Sequence, residues 1–113
     1  MTTLDDIQKS IAKQLVQDYG GAQYELLRDL VTLGLAEEAG EVAALRKREL
    51  RHNFRDIRTL SGIRTKYVEE LGDVLWYLTA CCITQNTSLE EIWATNQDKL
   101  EARYGGVKEV KNE

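Results

Sequence analysis

Four acids in this chain stand where an ordinary helix would place apolar or solvated residues. In Ala36-Glu37-Glu38-Ala39-Gly40-Glu41-Val42, Glu38 and Glu41 are three residues apart. In Val68-Glu69-Glu70-Leu71-Gly72-Asp73-Val74, Glu70 and Asp73 repeat that spacing. On a helix, residues three apart share a face. Glu38 interrupts the apolar stripe of Leu27, Val31, Leu35, Val42 and Leu45, and Asp73 runs straight into an apolar segment. If the two helices pack antiparallel, the pairs face each other. Four ionised carboxylates about 5 Å apart repel by roughly 3 kcal/mol per pair at an effective dielectric of 20. Six such pairs approach roughly 20 kcal/mol, more than the stability of about 5–15 kcal/mol typical of a domain. A countercharge is needed. Oxygen ligands with no His or Cys beside them select Mg²⁺, with Mn²⁺ as the alternative. The competing arrangement pairs these acids with Arg46, Arg64, Lys66 or Lys99 in buried salt bridges.

Further along, Asn96, Lys99 and Arg103 are spaced three and four apart and share a helix face. Lys offers phosphate a point charge and Arg a bidentate fork. Asn can bond a sugar hydroxyl, a base edge or a phosphate. The aromatic residues Trp76, Tyr77 and Trp93 read first as core or interface residues, and base stacking is the sharper alternative. The single histidine, His52, lies outside both acidic motifs, so a histidine-based acid–base mechanism is unsupported. Glu-x-x-His pairs, the mark of di-iron bundles, are absent from the motifs. The adjacent Cys81 and Cys82 lack any zinc or CxxC spacing and read as reduced core residues.

The elements that must carry these residues are helical. Proline is absent, aromatic residues are 7%, and Leu, Ala, Glu, Lys and Arg abound. The spacing predicts a first helix from about 5 to 19 on Ile7, Ile11, Leu15 and Tyr19, closed by Gly20-Gly21. A second runs from about 22 to 50, with Gly34 and Gly40 inside it. Each glycine costs about 1 kcal/mol against Ala and opens room for a close approach. Residues 46–66 form a basic block, eight Lys and Arg against Glu49 and Asp56. It is either a solvated connection or a basic rim that attracts an anionic substrate or product. A third helix spans about 64 to 84, and residues 74–83 are apolar almost all round, so a partner subunit is expected to cover it. A fourth starts at a Ser88/Glu91 capping box and ends at Gly105-Gly106, and residues 107–113 read as a frayed tail.

At 113 residues the chain fits a single all-α, four-helix domain, 1–113. A net charge of −4 disfavours a general nucleic-acid binder. No run of about 18 apolar residues exists to span a membrane, and the N-terminus carries acids where a leader would be basic, so a cytoplasmic protein is expected.

The strings LAEEAGEVAALRK, YVEELGDVLWYL and SLEEIWATNQDKLEARY together resemble the MazG-type nucleoside triphosphate pyrophosphohydrolases of the all-α NTP pyrophosphatase superfamily. That family's mark is ExxE, a variable gap, then ExxD. Here 28 residues separate Glu41 from Glu70, toward the long end, and the likeness covers residues 33–104. The basic block is not part of the motif. The resemblance implies cleavage of an NTP or dNTP between the α and β phosphates with Mg²⁺, giving a monophosphate and pyrophosphate. It implies a MazG-like bundle working as a homodimer or homotetramer. Glu38, Glu41, Glu70 and Asp73 take the metal-ligand roles, and Glu37 a secondary role as base or supporting acid. Lys99, with Asn96 and Arg103, takes phosphate or nucleotide contacts. Two alternatives stay open: a non-catalytic nucleotide-sensing oligomer, and a base-specific relative acting on dUTP, dCTP or phosphoribosyl-ATP.

Overall fold

Among the described residues of the computed structural model, four α-helices follow in chain order: α1 (Leu4–Tyr19), α2 (Tyr24–His52), α3 (Ile57–Thr84) and α4 (Leu89–Tyr104). The structure describes residues 1–21, 23–52 and 57–105, with backbone only at 52, 57–61 and 63. The expected tail 107–113 and much of the link between α2 and α3 lie outside the described residues. No strand occurs among the described residues, as composition led us to expect.

Each boundary has a local cause. At the start of α1, the Thr3 hydroxyl accepts the Asp6 N–H at 3.1 Å, and the Asp6 carboxylate accepts the Thr3 N–H at 3.0 Å. This reciprocal capping box satisfies two otherwise orphaned donors. The Thr3 backbone bond, and then its hydroxyl, hold the Asp6 carboxyl below its ordinary value. The box expected at α4 forms by half. The Ser88 hydroxyl accepts the Glu91 N–H at 3.0 Å, but the Glu91 carboxylate takes the Thr87 hydroxyl at 2.6 Å. Gly105, at φ +69°, closes α4 in the left-handed conformation, and its N–H donates to the Glu101 carbonyl. After α3 the left-handed position falls to Asn86, a residue type that tolerates it.

α3 starts about two turns earlier than the spacing suggested. Ser61-Gly62 does not break it, because one interior glycine costs only about 1 kcal/mol and no proline intervenes. α2 and α3 make the most extensive helix pairing of the chain. α1 packs on α3, and α4 leans on α1. Leu15 of α1, Val31 of α2 and Ala80 of α3 form the buried cluster, with Tyr19, Leu27, Trp76, Tyr77, Cys81 and Ile83 packed around it. Gln8 ties α1 to α4: its side-chain carbonyl accepts the Leu89 N–H at 2.9 Å and its amide donates to the Thr87 carbonyl at 3.3 Å.

Among the described residues of α3, the chain alone covers the C-terminal turns and leaves apolar residues between 68 and 75 open. Thr79, Ala80, Cys82 and Thr84 are buried, whereas Val68 and Leu71 are each 53% exposed and Leu75 is 39% exposed. Cys81 and Cys82 are free thiols whose burial raises their pKa, in keeping with core roles.

Candidate metal and active site

The α2–α3 pairing brings the two acidic motifs together. One carboxylate oxygen from each of Glu38, Glu70 and Asp73 lies within 4.8 Å of the other two. Glu38 and Glu70 are half-buried and Asp73 is exposed. At that spacing three carboxylates repel by roughly 3 kcal/mol per pair at an effective dielectric of 20. The Glu38 carboxyl is pushed above its ordinary range, first by lost solvation, then by Asp73 and Glu70, then by Glu37 and Glu41. Glu37 and Glu41 are exposed and stand outside the triad, yet both act on Glu38 through their charge.

The donor set fits a hard divalent cation. Glu38, Glu70 and Asp73 would hold it through carboxylate oxygens, and its charge would offset their mutual repulsion. Two of the cations named for burial with these acids have partners on their own helices. Arg46 pairs with Glu49 at 3.9 Å and Lys66 with Glu69 at 3.7 Å, each three residues along its own helix.

Tyr77 stands one turn beyond Asp73 and packs where α2 has no side chain. A Cβ at Gly34 would lie 2.2 Å from Tyr77 Cε1. Burial raises the pKa of the Tyr77 hydroxyl, with the Tyr19 hydroxyl beside it and Glu38 and Glu37 adding to the shift. Trp76 meets the Tyr77 ring edge-on, centroids 5.0 Å apart and planes at 72°. Its indole N–H donates to Gln14 of α1 at 2.7 Å, and the Gln14 amide in turn donates to Ser10 at 3.4 Å. The aromatic pair therefore borders the acids, fixed from α1 as well as from α2. Spacing gave no sign of Gln14, an exposed amide on an ordinary polar face.

Asn96, Lys99 and Arg103 are exposed on α4, whose packing is against α1. Within one chain they are not gathered with the acids of α2 and α3. Trp93 is likewise exposed on α4.

An all-helical chain with an ExxE/ExxD cluster across one antiparallel helix pair defines a class of protein, and comparison supplies its family. The model of the MazG nucleotide pyrophosphohydrolase domain matches residues 28–107. The chain belongs to this family. No curated protein and no solved structure gave a match. α1 lies outside the matched segment but contributes Leu15 to the core and Gln14 to Trp76. Among the described residues, no helix is long and apolar enough to cross a membrane.

Proposed function

We propose that this chain hydrolyses nucleoside triphosphates between the α and β phosphates, releasing a nucleoside monophosphate and pyrophosphate. The observation that carries this reading is the triad of Glu38, Glu70 and Asp73 on a MazG-family helix pair. Glu41, one turn along from Glu38, joins as the fourth acid. When bound, Mg²⁺ (or Mn²⁺) neutralises phosphate charge and lowers the pKa of a coordinated water. The protein's part is chiefly positioning and charge, which suits phosphoryl transfer. The triad fixes where the cation sits. Glu37, exposed beside Glu38, accepts a proton from the attacking water. Trp76 and Tyr77 border the nucleoside side. In this reading the protein acts on the cytoplasmic nucleotide pool.

The reading includes a homo-oligomer, dimer or tetramer, built through the bare face of α3. Lys99, Arg103 and Asn96 of one copy then contact the triphosphate held by another, which accounts for their placement away from the acids of their own chain.

The test is product identification with purified protein across the eight common NTPs and dNTPs, with dUTP added. Pyrophosphate and a monophosphate are expected with Mg²⁺, and EDTA abolishes both. Orthophosphate as the direct product would refute the reaction. Nucleotide binding without turnover on any substrate would favour a sensor instead.

A further inference from the structure

α1 precedes the segment that the family model matches, yet two of its side chains reach the surroundings of the acids. Gln14 is exposed, and both ends of its amide are used. Its carbonyl oxygen accepts the Trp76 indole N–H at 2.7 Å. Its amino end donates to the Ser10 hydroxyl at 3.4 Å, which fixes the end that faces the indole. Tyr19, the last residue of α1, packs on the buried cluster with Tyr77, hydroxyl beside hydroxyl. Trp76 in turn meets the Tyr77 ring edge-on. α1 therefore holds that ring directly through Tyr19 and indirectly through Gln14 and Trp76.

The Tyr77 ring is a spacer between α2 and α3. It fills the notch at Gly34, where a Cβ would come within 2.2 Å of Cε1. Gly34 is four residues before Glu38, and Tyr77 is four after Asp73. Notch and ring thus form the layer next to the acids, about 6 Å along the helices. A helix is stiff over one turn, and packed interiors transmit small shifts. The depth of the ring in the notch sets how far apart the helices stand at the acids. The carboxylate oxygens of Glu38, Glu70 and Asp73, within 4.8 Å of one another, take their separation from that spacing. A hard cation is sensitive to it, because small departures of its ligands cost affinity.

We infer that α1 is a positioning element of the cation site: Gln14 and Tyr19 hold the Tyr77 ring in the Gly34 notch, and through it set the α2–α3 spacing at Glu38, Glu70 and Asp73. The inference rests on the metal site of the proposed function and adds to it a supporting layer from outside the matched segment. Stability alone gives the Gln14–Trp76 bond little purpose, since water can serve the N–H of a half-buried indole nearly as well.

Mn²⁺ alone is the probe, with the full-length chain, no nucleotide, and free ion counted by electron paramagnetic resonance. Gln14→Met keeps the side chain's length but removes the acceptor. It should weaken Mn²⁺ binding about fivefold, less than the loss of about 10–100-fold when a group bonded directly to a ligand is removed. Tyr19→Phe should weaken it to a similar degree. Gln14→Glu keeps an acceptor oxygen and should return the affinity to within about twofold of the parent. Gln17→Met, the same change at another exposed position of α1, should leave it unmoved. In a Trp93→Phe background Trp76 is the one tryptophan, and Gln14→Met should lower its fluorescence anisotropy while Gln14→Glu restores it. Unmoved affinity in either Gln14→Met or Tyr19→Phe removes that residue from the role. Unmoved affinity in both, even with lower melting temperatures, or equal weakening by Gln14→Glu, overturns the role of α1 alone. A parent protein that binds no Mn²⁺ overturns the metal site itself.

Discussion

Glu38 stands at the meeting of an apolar stripe and a cluster of like charges, and the two demands on it conflict. Its folded-state pKa lies above the ordinary value, so the fold favours its protonated form. The sign for the metal-free protein follows: this residue favours folding below its ordinary pKa, and the contribution disappears as pH rises through the raised value. Glu38→Gln removes the charge and keeps the shape. In EDTA at neutral pH it should melt a few degrees higher than the parent, a small gain because the solvent-facing side screens the repulsion. It should also lose the rise in melting temperature that Mg²⁺ gives the parent, and turnover should fall by about a hundredfold or more. Equal melting curves with and without Mg²⁺ in the parent would contradict the metal site. The clustering of Glu38 with Glu70 and Asp73 was legible, since three-residue spacing on each helix and antiparallel pairing suffice to derive it. That Glu41 stands outside the triad was not legible, because side-chain direction at an exposed position depends on the neighbouring helix.

At the scale of elements, one glycine decides how closely α2 and α3 meet at the aromatic side. Gly34→Ala should gain about 1 kcal/mol in helix propensity. It would also place a methyl 2.2 Å from Tyr77 Cε1. Overpacking of that kind costs about 1–3 kcal/mol, so the net effect in chemical denaturation should be destabilising. Gly40→Ala and Gly72→Ala meet nothing within 4 Å and should stabilise by up to about 1 kcal/mol each. The same result for all three glycines would dismiss the contact with Tyr77. Helix number and most helix ends could be read from periodicity and caps. The start of α3 could not, since a single interior glycine with no proline did not end the helix at Ser61-Gly62. The docking of α1 and α4 was also hidden. Besides the buried Leu15, single amides fix it, Gln8 at Thr87 and Leu89 and Gln14 at Trp76, and these leave no pattern in a sequence.

The whole molecule is unusually open. Its accessible surface is 9068 Å², against about 6,300 Å² for a folded monomer of this mass. Its radius of gyration is 17.6 Å, against about 13 Å. The excess is roughly 2,800 Å² for one chain, at the upper end of the roughly 1,000–2,500 Å² that each partner of an obligate homodimer buries. Apolar residues mark where it lies: Val68, Leu71 and Leu75 along α3, and Leu26, Leu30 and Leu33 along α2. Leu71→Glu should shift the protein toward monomer in sedimentation velocity and lower its melting temperature, and an unchanged sedimentation coefficient would remove α3 from the interface. If α4 serves a neighbouring copy, mixing inactive Asp73→Asn and Lys99→Met proteins should restore part of the activity in hybrid oligomers, and no recovery in confirmed hybrids would return Lys99 to its own chain. If a second copy covers these leucines, the folding equilibrium of the chain depends on its own abundance. Dilution would then act as a denaturant: few copies would stay largely unassembled and open to proteolysis, and output would climb more steeply than expression until the subunits find each other.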